Sequence, residues 1–170
     1  LLAKSGDINI TVGNSNNSFD RLSFSYWPNT SHGSIIGQKA NSLVSTSSSN
    51  INITADEIRV DSGANDDPTF SSSGRLTIEP YGDDFDTTLN TSDFIFGNNL
   101  TGLLIGKNST SSDGTGDVGV VLGSSIDING LVEIYANDIA LNDDIDTQDG
   151  ASDGDITLTA SGVMVLAESK

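Results

Sequence analysis

Apolar residues in this chain alternate with Thr, Asn and Asp in short phrases, each introduced by a turn of Gly, Ser, Asn or Asp. The phrase appears as Ser5-Gly6-Asp7-Ile8-Asn9-Ile10-Thr11-Val12 and as Ser49-Asn50-Ile51-Asn52-Ile53-Thr54. It returns as Gly74-Arg75-Leu76-Thr77-Ile78, Ser125-Ile126-Asp127-Ile128-Asn129 and Gly154-Asp155-Ile156-Thr157-Leu158-Thr159. A period of two with β-branched residues marks a half-buried strand. Further strand candidates centre on Ile58-Val60, Phe94-Phe96, Leu103-Ile105, Val118-Val120, Val132-Ile134, Ile139-Leu141 and Val163-Val165. The stretch Val132 to Leu141 tolerates a helix, but its two-residue alternation and Asn137-Asp138 favour strands.

A strand phrase repeated at short intervals with no helix between copies points to a solenoid. Strand starts between residues 118 and 141 lie about six to eight residues apart, so three strands make a coil of about 20 residues. The expected fold is an all-β parallel β-helix filled by Ile126, Ile128, Val132, Ile134, Ile139, Leu141, Ile156 and Leu158. An antiparallel β-sandwich is the competitor, because Asn129-Gly130, Asp113-Gly114 and Asp153-Gly154 are hairpin-turn dipeptides. The chain, residues 1–170, reads as a single segment. Residues 13–47 are less regular and rich in loop signals, and they carry the aromatic group Phe24, Tyr26 and Trp27.

Composition narrows the partners. Seven Lys plus Arg stand against 24 Asp plus Glu, a net charge of −17. No basic patch is available for phosphates, which argues against nucleic acid, and an anionic membrane surface would repel the chain. No apolar run is long enough to insert in a membrane. Divalent cations are the charged partners such a surface attracts. Solubility of a repetitive β-protein is the plainer use of the acids. There is no cysteine, so disulfides, thiolate zinc sites and thiol catalysis are excluded.

Three constellations offer chemistry. The tract Asn142-Asp143-Asp144-Ile145-Asp146-Thr147-Gln148-Asp149-Gly150 has the oxygen density that calcium requires. Asp143, Asp144, Asp146 and Asp149 are its candidate ligands, although the spacing fits neither an EF-hand loop nor the calcium-binding nonapeptide. Tyr26 and Trp27 are candidates for stacking on sugars, against the commoner role of packing under a loop. Asp66-Asp67, Asp83-Asp84-Asp86 and the 143–146 acids could serve a polysaccharide-active enzyme. Arg59 and Arg75 are the only basic residues between positions 40 and 106, a poor supply for binding uronates. The lone His32 has no Gly-x-Ser-x-Gly elbow to work with. The expectation is therefore a protein that is not an enzyme.

From residue 74 onward the order of phrases resembles the repeat of giant secreted, filamentous-haemagglutinin-like bacterial proteins. Leu76-Thr77-Ile78-Glu79-Pro80, Leu103-Leu104-Ile105-Gly106-Lys107 and Ile128-Asn129-Gly130-Leu131-Val132-Glu133-Ile134-Tyr135 carry the likeness. They are followed by Asn137-Asp138-Ile139-Ala140-Leu141-Asn142 and Leu158-Thr159-Ala160-Ser161-Gly162. Leu131 and Ala136-Asn137 depart from the Pro and Gly-Gly common at those places. The resemblance covers about residues 74–166 and implies a right-handed parallel β-helix in an extracellular or cell-surface fibre or adhesin. It supplies no catalytic residues. Val165-Leu166-Ala167-Glu168-Ser169-Lys170 echoes Leu1-Leu2-Ala3-Lys4-Ser5-Gly6, as expected of one unit in a tandem array. The partners expected are adjacent repeats or further copies stacked end to end, with surface glycans as the alternative target of a binding module.

Overall fold

The structure, a computed structural model, describes residues 2–3, 6–13, 21–24, 34–35, 42–45, 48–60, 67–82, 84–108, 119–147 and 154–167. Nineteen strands run through them. The first seven are β1 (Leu2–Ala3), β2 (Ile8–Val12), β3 (Arg21–Phe24), β4 (Ser34–Ile35), β5 (Ser42–Ser45), β6 (Ile51–Ala55) and β7 (Glu57–Val60). Then come β8 (Thr69–Ser71), β9 (Arg75–Glu79), β10 (Leu89–Asn90), β11 (Ile95–Phe96), β12 (Gly102–Ile105) and β13 (Gly119–Leu122). The last are β14 (Ile126–Asp127), β15 (Leu131–Ala136), β16 (Asp138–Leu141), β17 (Ile145–Asp146), β18 (Ile156–Ala160) and β19 (Met164–Leu166). One 3-10 turn, Thr91–Asp93, interrupts them, and no α-helix occurs among the described residues.

Every strand pairing among the described residues is parallel, which removes the antiparallel sandwich for them. The largest sheet has six strands in the order β18-β15-β12-β9-β6-β2. Along it, sequence order and spatial order coincide. Four-stranded sheets β1-β5-β8-β11 and β10-β13-β16-β19, a three-stranded sheet β4-β3-β7 and the pair β14-β17 complete the set. Three strands, β3 to β5, fall inside the stretch expected to be less regular.

Register explains why the phrases share one pattern. Ile8 stands beside Ile51, Ile51 beside Leu76, Leu76 beside Leu103, Leu103 beside Val132, and Val132 beside Ile156. A slip of one residue would turn each apolar set outward, so the alternation fixes the pairing. Inner positions Ile51, Ile53, Leu76, Ile78, Leu103, Ile105, Val132 and Ile134 are wholly buried. The outer face carries Asn52, Thr77, Leu104, Glu133 and Thr157 in one row.

Two sequence expectations need correction. The spacing from one strand of the long sheet to the next is 25, 27, 29 and 24 residues from β6 to β18, and 43 between β2 and β6. Among the described residues a spacing near 20 appears only at Val120 and Ile139 and at Ile126 and Ile145, each 19 apart. Residues 119–146 thus display short connections, and longer turns along the long sheet add residues without adding alternation. Of the expected core, Ile126, Ile128, Val132, Ile134 and Ile139 are buried. Leu141 and Leu158 are half-buried, and Ile156 is 46% exposed. The reason is position: β18 is the last strand of its sheet, so nothing covers its outer edge among the described residues.

Candidate functional site

The turns preceding the strands are built by side chains that reach backbone groups one row away. Asp7 Oδ1 accepts from the Asn50 N–H at 2.7 Å, and Asn50 Oδ1 accepts from the Arg75 N–H at 2.9 Å. Asp56 Oδ1 accepts from the Gly82 N–H and Asp138 Oδ1 from the Val163 N–H, both at 2.6 Å. These acids therefore satisfy backbone donors that the bend of the chain leaves outside the ladders. On the outer face Asn52 donates to Asn9 Oδ1 at 2.8 Å. Thr91, wholly buried, accepts from the Gly123 N–H at 3.1 Å, while its carbonyl accepts from the Ser124 hydroxyl at 3.0 Å.

Sequence reasoning assigned no role to Asp7, Asp56 or Asp138. The signal that could have found two of them is position: Asp7 and Asp138 each stand immediately before an Ile that opens an alternating phrase.

A polar cluster lies on the outer face of the long sheet. Arg75 on β9 ion-pairs with Glu133 on β15, two strands away. The strand between them presents Gly102 at the Arg75 position, and the Arg75 stem packs across it. A larger residue at 102 would meet that stem. Tyr135 donates its hydroxyl to Glu133 Oε1 at 3.1 Å. Desolvation, then the hydrogen bond to Glu133 and its negative charge, push the Tyr135 hydroxyl up, and Arg75 opposes them. Arg75 Nε is buried with no hydrogen-bond partner. The cluster ties β9 to β15 over β12.

Glycines admit the close approach of neighbouring rows. Gly106 has φ +81°, and a methyl group there would run into the Tyr135 carbonyl. Gly130, at φ +153°, lies equally hard against the Thr101 carbonyl. Both belong to the phrases that carry the family likeness.

The described part of the candidate calcium tract, residues 142–147, forms a turn and the short strand β17. The Asp144 N–H donates to Asp143 Oδ1 at 2.9 Å, and Asp144 and Asp146 offer their carbonyls to Ile126 and Ile128. Asp127 stands directly beside Asp146 across β14 and β17, two exposed carboxylates in register. Among the described residues no three His, Cys, Asp or Glu side chains come together in a way that could hold a metal ion. Asp149 lies outside the described residues, as do Tyr26, Trp27, His32, Asp66 and Asp83. Phe24 is buried and meets Phe70 edge-on, with centroids 5.9 Å apart. Phe70 in turn touches Phe94 and Phe96.

Two further features bear on chemistry. Partial burial, then the charge of Asp67, raises the Asp93 carboxyl. A shallow groove of about 280 Å³ follows the outer side of β13, β16 and β19, bordered by Val121, Ala140, Val163 and Val165. Asp138 is the one titratable residue among its described lining, and its carboxylate already receives the Val163 N–H. No family model, curated protein or solved structure matches the chain.

Proposed function

We propose that the chain is a structural segment of a large extracellular or cell-surface fibre, a right-handed parallel β-helix that acts by forming a rod and holding a surface. The observation that carries this reading is the register of the long sheet. Six strands follow one another in chain order, with an apolar residue at every inner position from Ile8 to Ile156. At about 4.8 Å per strand the sheet extends about 24 Å along the stacking direction. In such a stack each row contacts only its neighbours, so length can grow by adding rows without redesigning the core. Carboxylates spent on backbone N–H groups and on one guanidinium fit a load-bearing part better than a catalytic one.

The test is location in the producing cell. An antibody against this chain should label intact cells or shed fibres, and deletion of residues 8–160 from the gene should reduce attachment. Labelling that appears only after permeabilisation would contradict the proposal.

A further inference from the structure

One sequence motif has no part in the packing of the rows. The pattern Asn-x-Ser/Thr, which marks acceptors of N-linked sugar, begins at Asn9, Asn52, Asn90, Asn99 and Asn108 among the described residues and at Asn16 and Asn29 outside them. The fold treats these triplets differently. Asn9-Ile10-Thr11 and Asn52-Ile53-Thr54 lie within β2 and β6 and pair with each other residue for residue. Their backbone is held in the ladder, and the Asn52 amide donates to Asn9 Oδ1. Asn90-Thr91-Ser92 is closed in another way. Asn90 Oδ1 accepts from the Ser92 N–H at 3.1 Å, and Thr91 is wholly buried with its hydroxyl on the Gly123 N–H. Asn108-Ser109-Thr110 leaves the described residues after its first member.

Asn99-Leu100-Thr101 stands apart. Asn98 and Asn99 are exposed and form the tip of the turn between β11 and β12, closed by the Leu100 N–H on the Gly97 carbonyl at 3.0 Å. Both sides of the tip are anchored. The Gly97 N–H donates to the Phe70 carbonyl at 2.8 Å and the Thr101 N–H to the Gly74 carbonyl at 3.0 Å, with Leu100 wholly buried between them. The Asn99 side chain makes no hydrogen bond among the described residues. Thr101 is exposed, its hydroxyl 3.4 Å from the Ser73 carbonyl, at the outer limit of a hydrogen bond. The amide and the hydroxyl of this triplet can therefore enter an enzyme without a strand leaving its ladder, as is general for loop tips.

We propose that Asn99 carries an N-linked glycan, attached to the folded chain by a transferase that reads Asn-x-Thr. The site rests on the extracellular reading above, because the triplet serves as an acceptor in secreted chains. The donor is a sugar activated at C1 as a phosphate or pyrophosphate ester. Asn99 Nδ2 attacks C1, the N–C1 bond forms, and the C1–O bond breaks with its electron pair on the departing phosphate. One Nδ2 proton passes to a base of the transferase. Nothing is oxidised or reduced.

The chain purified from the producing cell, cut with trypsin and read by mass spectrometry, tests the site. Arg75 and Lys107 bound one peptide that holds both Asn90 and Asn99, so electron-transfer fragmentation places the sugar between them. Added sugar mass should fall on Asn99, with Asn9, Asn52 and Asn90 bare. Asn99→Gln and Thr101→Ala should each lose it, and Thr101→Ser should keep it. Circular dichroism should show all three variants folded, since both positions are exposed.

A bare Asn99 in the purified chain would overturn the proposal. So would equal occupancy at Asn9, Asn52 and Asn90, which would mean that the enzyme acts before the strands form and that the fold selects nothing. Surface labelling with a bare Asn99 would remove the glycan and leave the fibre standing. A glycan at Asn99 on a chain labelled only after permeabilisation would do the reverse.

Discussion

Ile134 and Ile156 belong to the same inner face, yet among the described residues only the first has a row on both sides. Ile134 lies between Ile105 and Leu158 and is wholly buried. Truncation to Ala removes three carbons, about 2.4 kcal/mol of transfer free energy at about 0.8 kcal/mol each. The neighbours are held by ladders above and below and cannot close the space, so the cavity raises the loss to about 3–4 kcal/mol. Ile156 faces Val132 on one side only and is 46% exposed. Its truncation forgoes about half the transfer term and leaves no sealed void, so it should cost about 1 kcal/mol. Denaturant unfolding, followed by circular dichroism, gives both values. The fall in midpoint for Ile134→Ala should be about three times that for Ile156→Ala at equal slope. Equal falls, or a loss below about 1 kcal/mol at Ile134, would refute a stack in which β15 is interior and β18 terminal.

Other expectations follow from the same geometry. Gly106→Ala combines a left-handed φ with contact against the Tyr135 carbonyl and should destabilise by more than about 2 kcal/mol; Gly6→Ala, at φ +86° with open space around it, should cost about 1 kcal/mol in the same unfolding assay. The raised carboxyl of Asp93 means that the folded chain keeps its proton longer than the unfolded one. Stability from this group is full below the ordinary carboxylate range and falls as pH rises through the raised value. Asp93→Asn should therefore be more stable than the parent at pH about 7 and equal to it at about pH 3 in thermal melts. Glu133→Gln should lower the Tyr135 hydroxyl toward its ordinary value in an NMR titration, because the acceptor charge that raises it is gone. If Asp143, Asp144, Asp146 and Asp149 hold calcium, millimolar calcium should raise the melting midpoint above its value in EDTA, and an unchanged midpoint would remove the site. Stabilisation by about 2.7 kcal/mol would signal a site filled to a hundredfold excess over its dissociation constant.

The long strands were legible because their alternation is local. β2, β6, β9, β15 and β18 each hold five or six residues in period two, and the stretch 131–141 forms two strands as its alternation requires. Short strands without a phrase of their own were harder to read. β4, β10 and β17 have two residues each, too few to show a period, and their membership in a sheet depends on neighbours far along the chain. The row spacing failed for the same reason, since turn length is invisible to a pattern search. The Arg75 to Glu133 pair joins residues 58 positions apart, and only the register of three strands brings it together. Gly102, the small residue that makes room for it, gives no sign in the sequence of what crosses it.

The central claim is that rows rise one after another in chain order, and inter-residue distances test it. Asn9, Asn52, Thr77, Leu104, Glu133 and Thr157 form a single outer row. Spin labels on cysteines introduced at 52 and 157 should be separated by four strand spacings, about 19 Å, and those at 9 and 157 by five, about 24 Å. Double electron–electron resonance, with unlabelled chain added to dilute contacts between copies, reads both pairs. The account predicts that the second distance exceeds the first by about one strand spacing. Two equal distances, or a separation at 9 and 157 shorter than at 52 and 157 in the diluted sample, would contradict it.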